Sequence, residues 1–262
     1  MSEYLKNHYE NYDEDGRLAT GFGLVEFLTT MRYIEKYLSP DCKILEIGAG
    51  TGRYSHTLAR MGYEVEAIEL LEHNITIFEQ NTQPGEKITI TQGNALDLFM
   101  FDDDIFDVTL VLGPMYHLYT EADKHRAISE ALRVTKPGGI VFVAYCISDP
   151  TILDDGFKRK RFDVADFINN GMIDPTTFAT NSKPEDIFEM VRKEDVDRLM
   201  ADFNVKPLHY VATDMFARHF RDVIADMDEE TFALYLRHHF VICERADMVG
   251  LSHHTLDIFR KN

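Results

Sequence analysis

Residues 43–62 constrain what this chain can fold into more than any other stretch. The apolar run Lys43 to Ile47 leads straight into Gly48-Ala49-Gly50-Thr51-Gly52, and a helical pattern then carries Leu58, Ala59 and Met61 to a closing Gly62. Strand, glycine turn and helix in immediate succession open a βαβ unit, since glycine supplies the tight turn without a Cβ penalty. The alternation continues, with strands expected at 63–70, 87–91, 106–112 and 140–147 and helices at 73–81 and 121–134. That rhythm predicts right-handed crossovers and a mostly parallel sheet covered on both faces.

The flanks are less regular. Leu24, Phe27, Leu28, Met31, Ile34 and Leu38 fall at three- and four-residue steps, which predicts a packed helix over 24–38 stopped by Ser39-Pro40. The first twenty residues, with Tyr4, Tyr9 and Tyr12, read as a polar lead-in. After Ser148 the rhythm breaks, and 149–183, with its basic run Lys158-Arg159-Lys160-Arg161, reads as an insertion that covers something. A helix at 184–200, a strand at 204–213, helical stretches at 215–227 and 230–247 and a last strand at 252–260 complete the pattern. In that last strand alternation places His254, Leu256 and Ile258 on one face.

The expected fold is a single α/β domain over 1–262, a Rossmann-like, doubly wound, seven-stranded, mostly parallel sheet with helical cap insertions. An N-terminal cap segment and helix occupy 1–40 and a cofactor-binding core 41–148. The insertions lie at 149–183 and 214–250, and 184–213 and 251–262 complete the sheet domain.

Charge narrows the partners. Lys and Arg number 27 against 45 Asp and Glu, a net charge of −18, which repels polyanions at long range and argues against DNA and RNA as bulk partners. The three cysteines, Cys42, Cys146 and Cys243, are far apart and in no metal-ligand spacing, so neither a disulfide framework nor a zinc site is expected. No basic-then-apolar leader and no run of about 18 apolar residues is present, so a cytoplasmic, non-membrane protein is expected.

Ligands of parallel sheets bind beyond the carboxyl ends of the strands, with the first strand-to-helix turn as the usual anchor. Here that turn reads GxGxG, and Arg53 stands where the dinucleotide fingerprint GxGxxG has its third glycine. Glu69 closes the second strand 19 residues after Gly50, where a carboxylate can accept from both hydroxyls of a ribose. Turn and acid together specify a nucleoside-containing ligand.

Ile44-Leu45-Glu46-Ile47-Gly48-Ala49-Gly50-Thr51-Gly52 resembles the first motif of the class I S-adenosylmethionine-dependent methyltransferases, and Lys136-Pro137-Gly138-Gly139 resembles their turn before strand five. The resemblance covers roughly residues 40–148 and, more loosely, the final strand pair, and it implies an antiparallel seventh strand. It implies that Glu46, Gly48, Ala49, Gly50 and Gly52 hold the methionine end of S-adenosylmethionine. Glu69, with Leu70 beside it, takes the ribose, and Asn94 and Ala95 take the adenine. Leu112 and Gly113 lie against the cofactor, which leaves as S-adenosylhomocysteine. The family more often has Asp at the Asn94 position, but an Asn carbonyl also accepts from an exocyclic amine.

Pro114-Met115-Tyr116-His117-Leu118 then face the acceptor. The Asn/Asp-Pro-Pro-Tyr signature of enzymes that methylate bases or glutamine is not there, and Gly113 to Leu118 resembles instead the segment of small-molecule-type methyltransferases, whose N-terminal segment resembles Tyr9 to Met31. His117 is the candidate base and Tyr116 an orienting or lining residue. Tyr9, Tyr12 and Arg17 are candidate lid or substrate residues. His238-His239 and His253-His254 are adjacent pairs that point apart on a helix or strand, so no metal is expected. The expected function is methyl transfer from S-adenosylmethionine to a small molecule, with a non-catalytic S-adenosylmethionine-binding module, or a methyltransferase of protein or RNA, as the alternatives.

Overall fold

The computed structural model describes residues 3–10, 14–19, 21–186 and 188–262. Three helices, α1 (Glu3–Glu10), α2 (Glu14–Ala19) and α3 (Gly21–Glu35), precede β1 (Lys43–Ile47), α4 (Arg53–Arg60), β2 (Glu64–Glu69), α5 (Glu72–Asn81) and β3 (Ile88–Gln92). β4 (Phe106–Val111), α6 (Glu121–Val134) and β5 (Thr135–Ile147) follow, then α7 (Ser148–Thr151), a π-helical turn (Ile152–Lys158) and α8 (Val164–Asn169). The chain closes with β6 (Met190–Val191), α9 (Lys193–Met200), β7 (Val205–Ala212), α10 (Phe216–His219), α11 (Arg221–Ala225), α12 (Glu229–Ile242) and β8 (His254–Lys261).

The sheet runs β3-β2-β1-β4-β5-β8-β7, with the two-residue β6 pairing beside the end of β5. All neighbours from β3 to β5 are parallel, and β8 alone is inserted antiparallel between β5 and β7. Both faces are buried, as a parallel sheet requires. In β5 the residues Ile140, Phe142 and Ala144 enter the core that holds α3 and α4, while Val141, Val143 and Tyr145 enter the core under α6 and α9. The same alternation in β1 sends Ile44 one way and Leu45 and Ile47 the other, and Glu46 shares the Ile44 side, where α4 meets it through Ser55.

The flanks depart from expectation. Leu18 of the N-terminal segment is buried and joins the core, so α1 and α2 are more than a lead-in. The helix expected from 184 starts only at Lys193, because Asp195 accepts the Arg192 N–H at 2.9 Å and fixes the helix start there. Three residues of the basic run are engaged internally. Asp154 and Asp155 are buried, and Lys158 (3.7 Å), Arg159 (3.8 Å) and Arg161 (3.6 Å) lean on them together with Arg218 (2.8 Å) and Arg221 (2.6 Å).

Candidate functional site

β1, β2 and β4 end side by side, and the turns leaving them converge. Gly48, Gly50 and Gly52 all adopt positive φ (74°, 57° and 93°), which side chains rarely tolerate. At two of them space also forbids a side chain, since a Cβ on Gly48 would lie 2.7 Å from the Pro114 ring and one on Gly52 2.6 Å from His56 and Phe78. The Gly48 and Ala49 N–H groups donate to the Ile68 carbonyl (2.7 and 3.0 Å), which ties the turn to the end of β2. Glu69 adds a second tie. Its Oε2 accepts from Gly50 N (2.9 Å), and its Oε1 from Leu71 N (2.9 Å) and Asn74 Nδ2 (3.2 Å).

Above this junction lies a cavity of about 360 Å³. Its wall includes Glu46, Gly48, Ala49, Gly50, Glu69, Leu70, Asn94, Ala95, Leu112 and Gly113 from the sheet, Tyr116 and His117 from the turn after β4, and Tyr9 and Arg17 from the N-terminal helices. Of the expected site residues, Gly52 stands behind the wall, packed on His56 and Phe78, and Tyr12 lies outside the described residues. Asn94 is exposed, and its Oδ1 already accepts from Leu96 N at 3.0 Å. Glu46 is fully buried and accepts from Ser55 Oγ; burial pushes its carboxyl up to about 8, the Ser55 hydroxyl opposing and the Glu69 charge adding to the rise.

The cover over the cavity is N-terminal. Leu5, Tyr9, Arg17 and Leu18 line it, whereas no residue of 149–183 or 214–250, the stretches expected to cap the site, does. Those stretches pack elsewhere, α10 and α11 against α3. Two polar contacts fasten the cover: the Tyr9 hydroxyl pairs with His117 Nε2 at 3.0 Å, and Arg17 forks onto Glu26 at 2.6 and 3.2 Å.

Glu26, Thr30, Tyr54 and His254 also line the cavity and were not assigned to it from sequence. One signal was available, since Glu26 and Thr30 are polar residues four apart, on one face of a largely apolar helix. His254 sits with its Nδ1 at 2.9 Å from Asp214 and 3.4 Å from Glu26. His253 points away and is buried against His219, and His238 is exposed while His239 is buried, so neither adjacent pair acts as one site. Glu26, Asp214 and His254 present atoms within 4.8 Å of one another, close enough for a cation. Arg17, Ser252 Oγ and two backbone N–H groups already donate to these carboxylates, which makes the group a hydrogen-bonded ion-pair cluster.

Residues 45–143, which carry the glycine turn and its acid, match the family described as "Methyltransferase domain". The chain is similar to the demethylmenaquinone methyltransferase of Clavibacter sepedonicus (32% identical, over 47% of this chain and 46% of that protein). It is also similar to the ubiquinone biosynthesis O-methyltransferase of Maricaulis maris (34% identical, over 39% of each). The matches span about half the length of such curated relatives. A solved S-adenosylmethionine-dependent methyltransferase from Methanosarcina mazei shares the fold, with a TM-score of 0.58 at 21% identity over 87% of this chain and 96% of that one.

The residues present fit that cofactor. Gly48 leaves room where a Cβ would meet Pro114, and a buried carboxylate stands near the end of each of β1 and β2. Among the described residues no helix is long and apolar enough to cross a membrane.

Proposed function

We propose that the protein transfers a methyl group from S-adenosylmethionine to a small-molecule acceptor. The observation that carries this reading is the convergence of Glu46, the glycine turn, Glu69, the turn at Asn94 and the Leu112-Gly113 strand end on one cavity. When bound, the cofactor supplies a methyl group already electrophilic enough to be attacked, so the protein's work is alignment and exclusion of water.

Glu46 takes the ammonium of the methionine end, its charge being restored by that cation, and the glycine turn lets the backbone approach the methionine chain closely. Glu69 takes the ribose hydroxyls, with Leu70 against the sugar. Three of roughly four acceptor positions on a carboxylate are already filled here, so the ribose shares them with Gly50 N–H, and turn and sugar are bound by one group. Asn94 and Ala95 take the adenine edge. Tyr116 and His117 border the acceptor, and Tyr9 and Arg17 close over it. A small acceptor is favoured by this N-terminal cover and by the small-molecule substrates named in the relatives' titles, quinone precursors among them.

Calorimetric titration with S-adenosylmethionine, S-adenosylhomocysteine and NAD tests the reading. The first two bind and NAD does not, and Glu69→Ala weakens binding about 10-fold or more, as expected for hydrogen bonds to a charged group. Binding of NAD alone would sink it.

A further inference from the structure

The cofactor reading leaves the cluster around His254 without a task. β7 and β8 are antiparallel neighbours with Ala212 opposite Thr255, so the residue two beyond β7, Asp214, meets the start of β8. Asp214 is fully buried. Its Oδ1 accepts from Ser252 Oγ (2.6 Å), His253 N (2.9 Å) and His254 N (3.2 Å), and its Oδ2 faces His254 Nδ1 at 2.9 Å. The backbone is strained to reach this: buried Met215 is held at φ +34°, with its N–H on Ser252 Oγ (2.8 Å). Strain held by surrounding bonds beside a cavity, here two residues from Thr213 in its wall, is the kind of outlier that accompanies function.

The consequence is a defined imidazole. Asp214 keeps the Nδ1 proton in place, which leaves Nε2 as the acceptor in the neutral ring. Among the described residues Nε2 has no hydrogen-bond partner and is not sealed off, the residue lies in the cavity wall, and its ring centroid is 5.9 Å from that of Tyr116. His117, the base expected from sequence, has its Nε2 engaged by Tyr9 instead.

We propose that His254, oriented by Asp214, is the proton acceptor for an acceptor molecule that attacks through a hydroxyl oxygen or a protonated amine nitrogen. The inference rests on the methyltransferase reading above. A hydroxyl oxygen attacks as its proton leaves, and an ammonium nitrogen attacks once one proton has left and freed its lone pair; the new bond forms to the methyl carbon, and the carbon–sulfur bond breaks with its pair going to sulfur. The O–H or N–H proton passes to His254 Nε2 and then to solvent. No oxidant or further reactant is needed.

The surroundings fix the direction of the pH dependence. Facing His254 are Arg17 and Glu26 from the N-terminal helices, Tyr116 after β4, Cys146 on β5, and Asp214 with its neighbour His253. Burial disfavours the imidazolium, but Glu26, Cys146 and Asp214 outweigh it and hold the ring well above the usual histidine range. The competent neutral form therefore grows as pH rises, and removing the Glu26 charge brings it in at lower pH.

Nitrogen-15 NMR of the imidazoles, run with S-adenosylhomocysteine calorimetry on the same samples, decides. The expected spectrum shows a His254 resonance, assigned by its loss in His254→Gln, titrating above the usual histidine range with the neutral proton on Nδ1. Glu26→Gln lowers its midpoint. A neutral ring protonated on Nε2, or a midpoint at or below the usual range, overturns the proposal. With phenol and 4-nitrophenol as probe acceptors at alkaline pH, His254→Gln lowers kcat/KM on phenol about 100-fold or more, and less on the nitrophenol, which ionises unaided. Equal turnover by variant and wild type overturns it as well. Failure of the wild type to bind S-adenosylhomocysteine would instead remove the methyltransferase reading, which keeps the two failures distinct.

Discussion

Glu46 is a carboxyl placed where water cannot solvate it, beside one hydroxyl and within reach of the Glu69 charge. Its folded value of about 8 lies above its ordinary 4.5, so the folded protein holds a proton that the unfolded chain releases. The sign follows by linkage: this stability is fully present below about pH 4.5 and is lost as pH rises toward 8. Thermal unfolding followed from pH 5 to 8.5 shows a decline that Glu46→Gln flattens, because an amide has no proton to lose. On the proposed reading, pairing with the ammonium of S-adenosylmethionine reverses the preference for the neutral form. Binding at pH 7 accordingly releases about one proton, read by calorimetry in buffers of different ionisation enthalpy. A variant whose unfolding keeps the wild-type slope would refute this account of Glu46.

At the scale of elements, α1 and α2 reach the cavity from one side and β8 from another, and Glu26 of α3 is the joint between them, paired with Arg17 and facing His254. Both side chains are nearly buried, so Arg17→Ala leaves a buried carboxylate without its guanidinium and destabilises the fold by about 3 kcal/mol. Burial alone would raise Glu26, but Arg17 and His254 hold it below the usual carboxylate range, and the loss is therefore largest at neutral pH and shrinks on acidification. Denaturant unfolding at pH 7 and pH 4 measures it; an unchanged midpoint at pH 7 would mean the pair is dispensable. The central elements were legible in the sequence because a strand of five residues ending in Gly48 admits one local structure, and β1 falls on the expected residues 43–47. The meeting of Glu69 with the glycine turn was legible for the same reason, since both lie within one βαβ unit. The His254 cluster was not. It joins residues 17, 26, 214 and 254, whose meeting depends on where β8 inserts, and no local period encodes a long-range register. The cover was misassigned to 149–183 because an irregular insertion and a satellite ion-pair cluster around Asp154 look alike in composition.

Over the whole molecule, the cavity draws its wall from Leu5 at one end of the chain to Leu256 at the other. β8 passes its strand between β5 and β7, so the C-terminal residues are part of the same sheet that carries the glycine turn. A ligand in that cavity is therefore linked to every layer of the fold, and we propose that 1–262 unfolds as one unit. Ligand at 100 times its Kd adds about 2.7 kcal/mol to the folded state, and for a chain of this size that is roughly 5–10 °C in Tm. Scanning calorimetry with saturating S-adenosylhomocysteine is expected to show one peak moved upward as a whole, and Glu69→Ala a smaller move. Two peaks, of which the ligand shifts only one, would place the covering helices or the β7–β8 pair outside the cooperative unit. In that case the N-terminal cover would close over the acceptor as a separately folding part, with the sheet alone holding the cofactor.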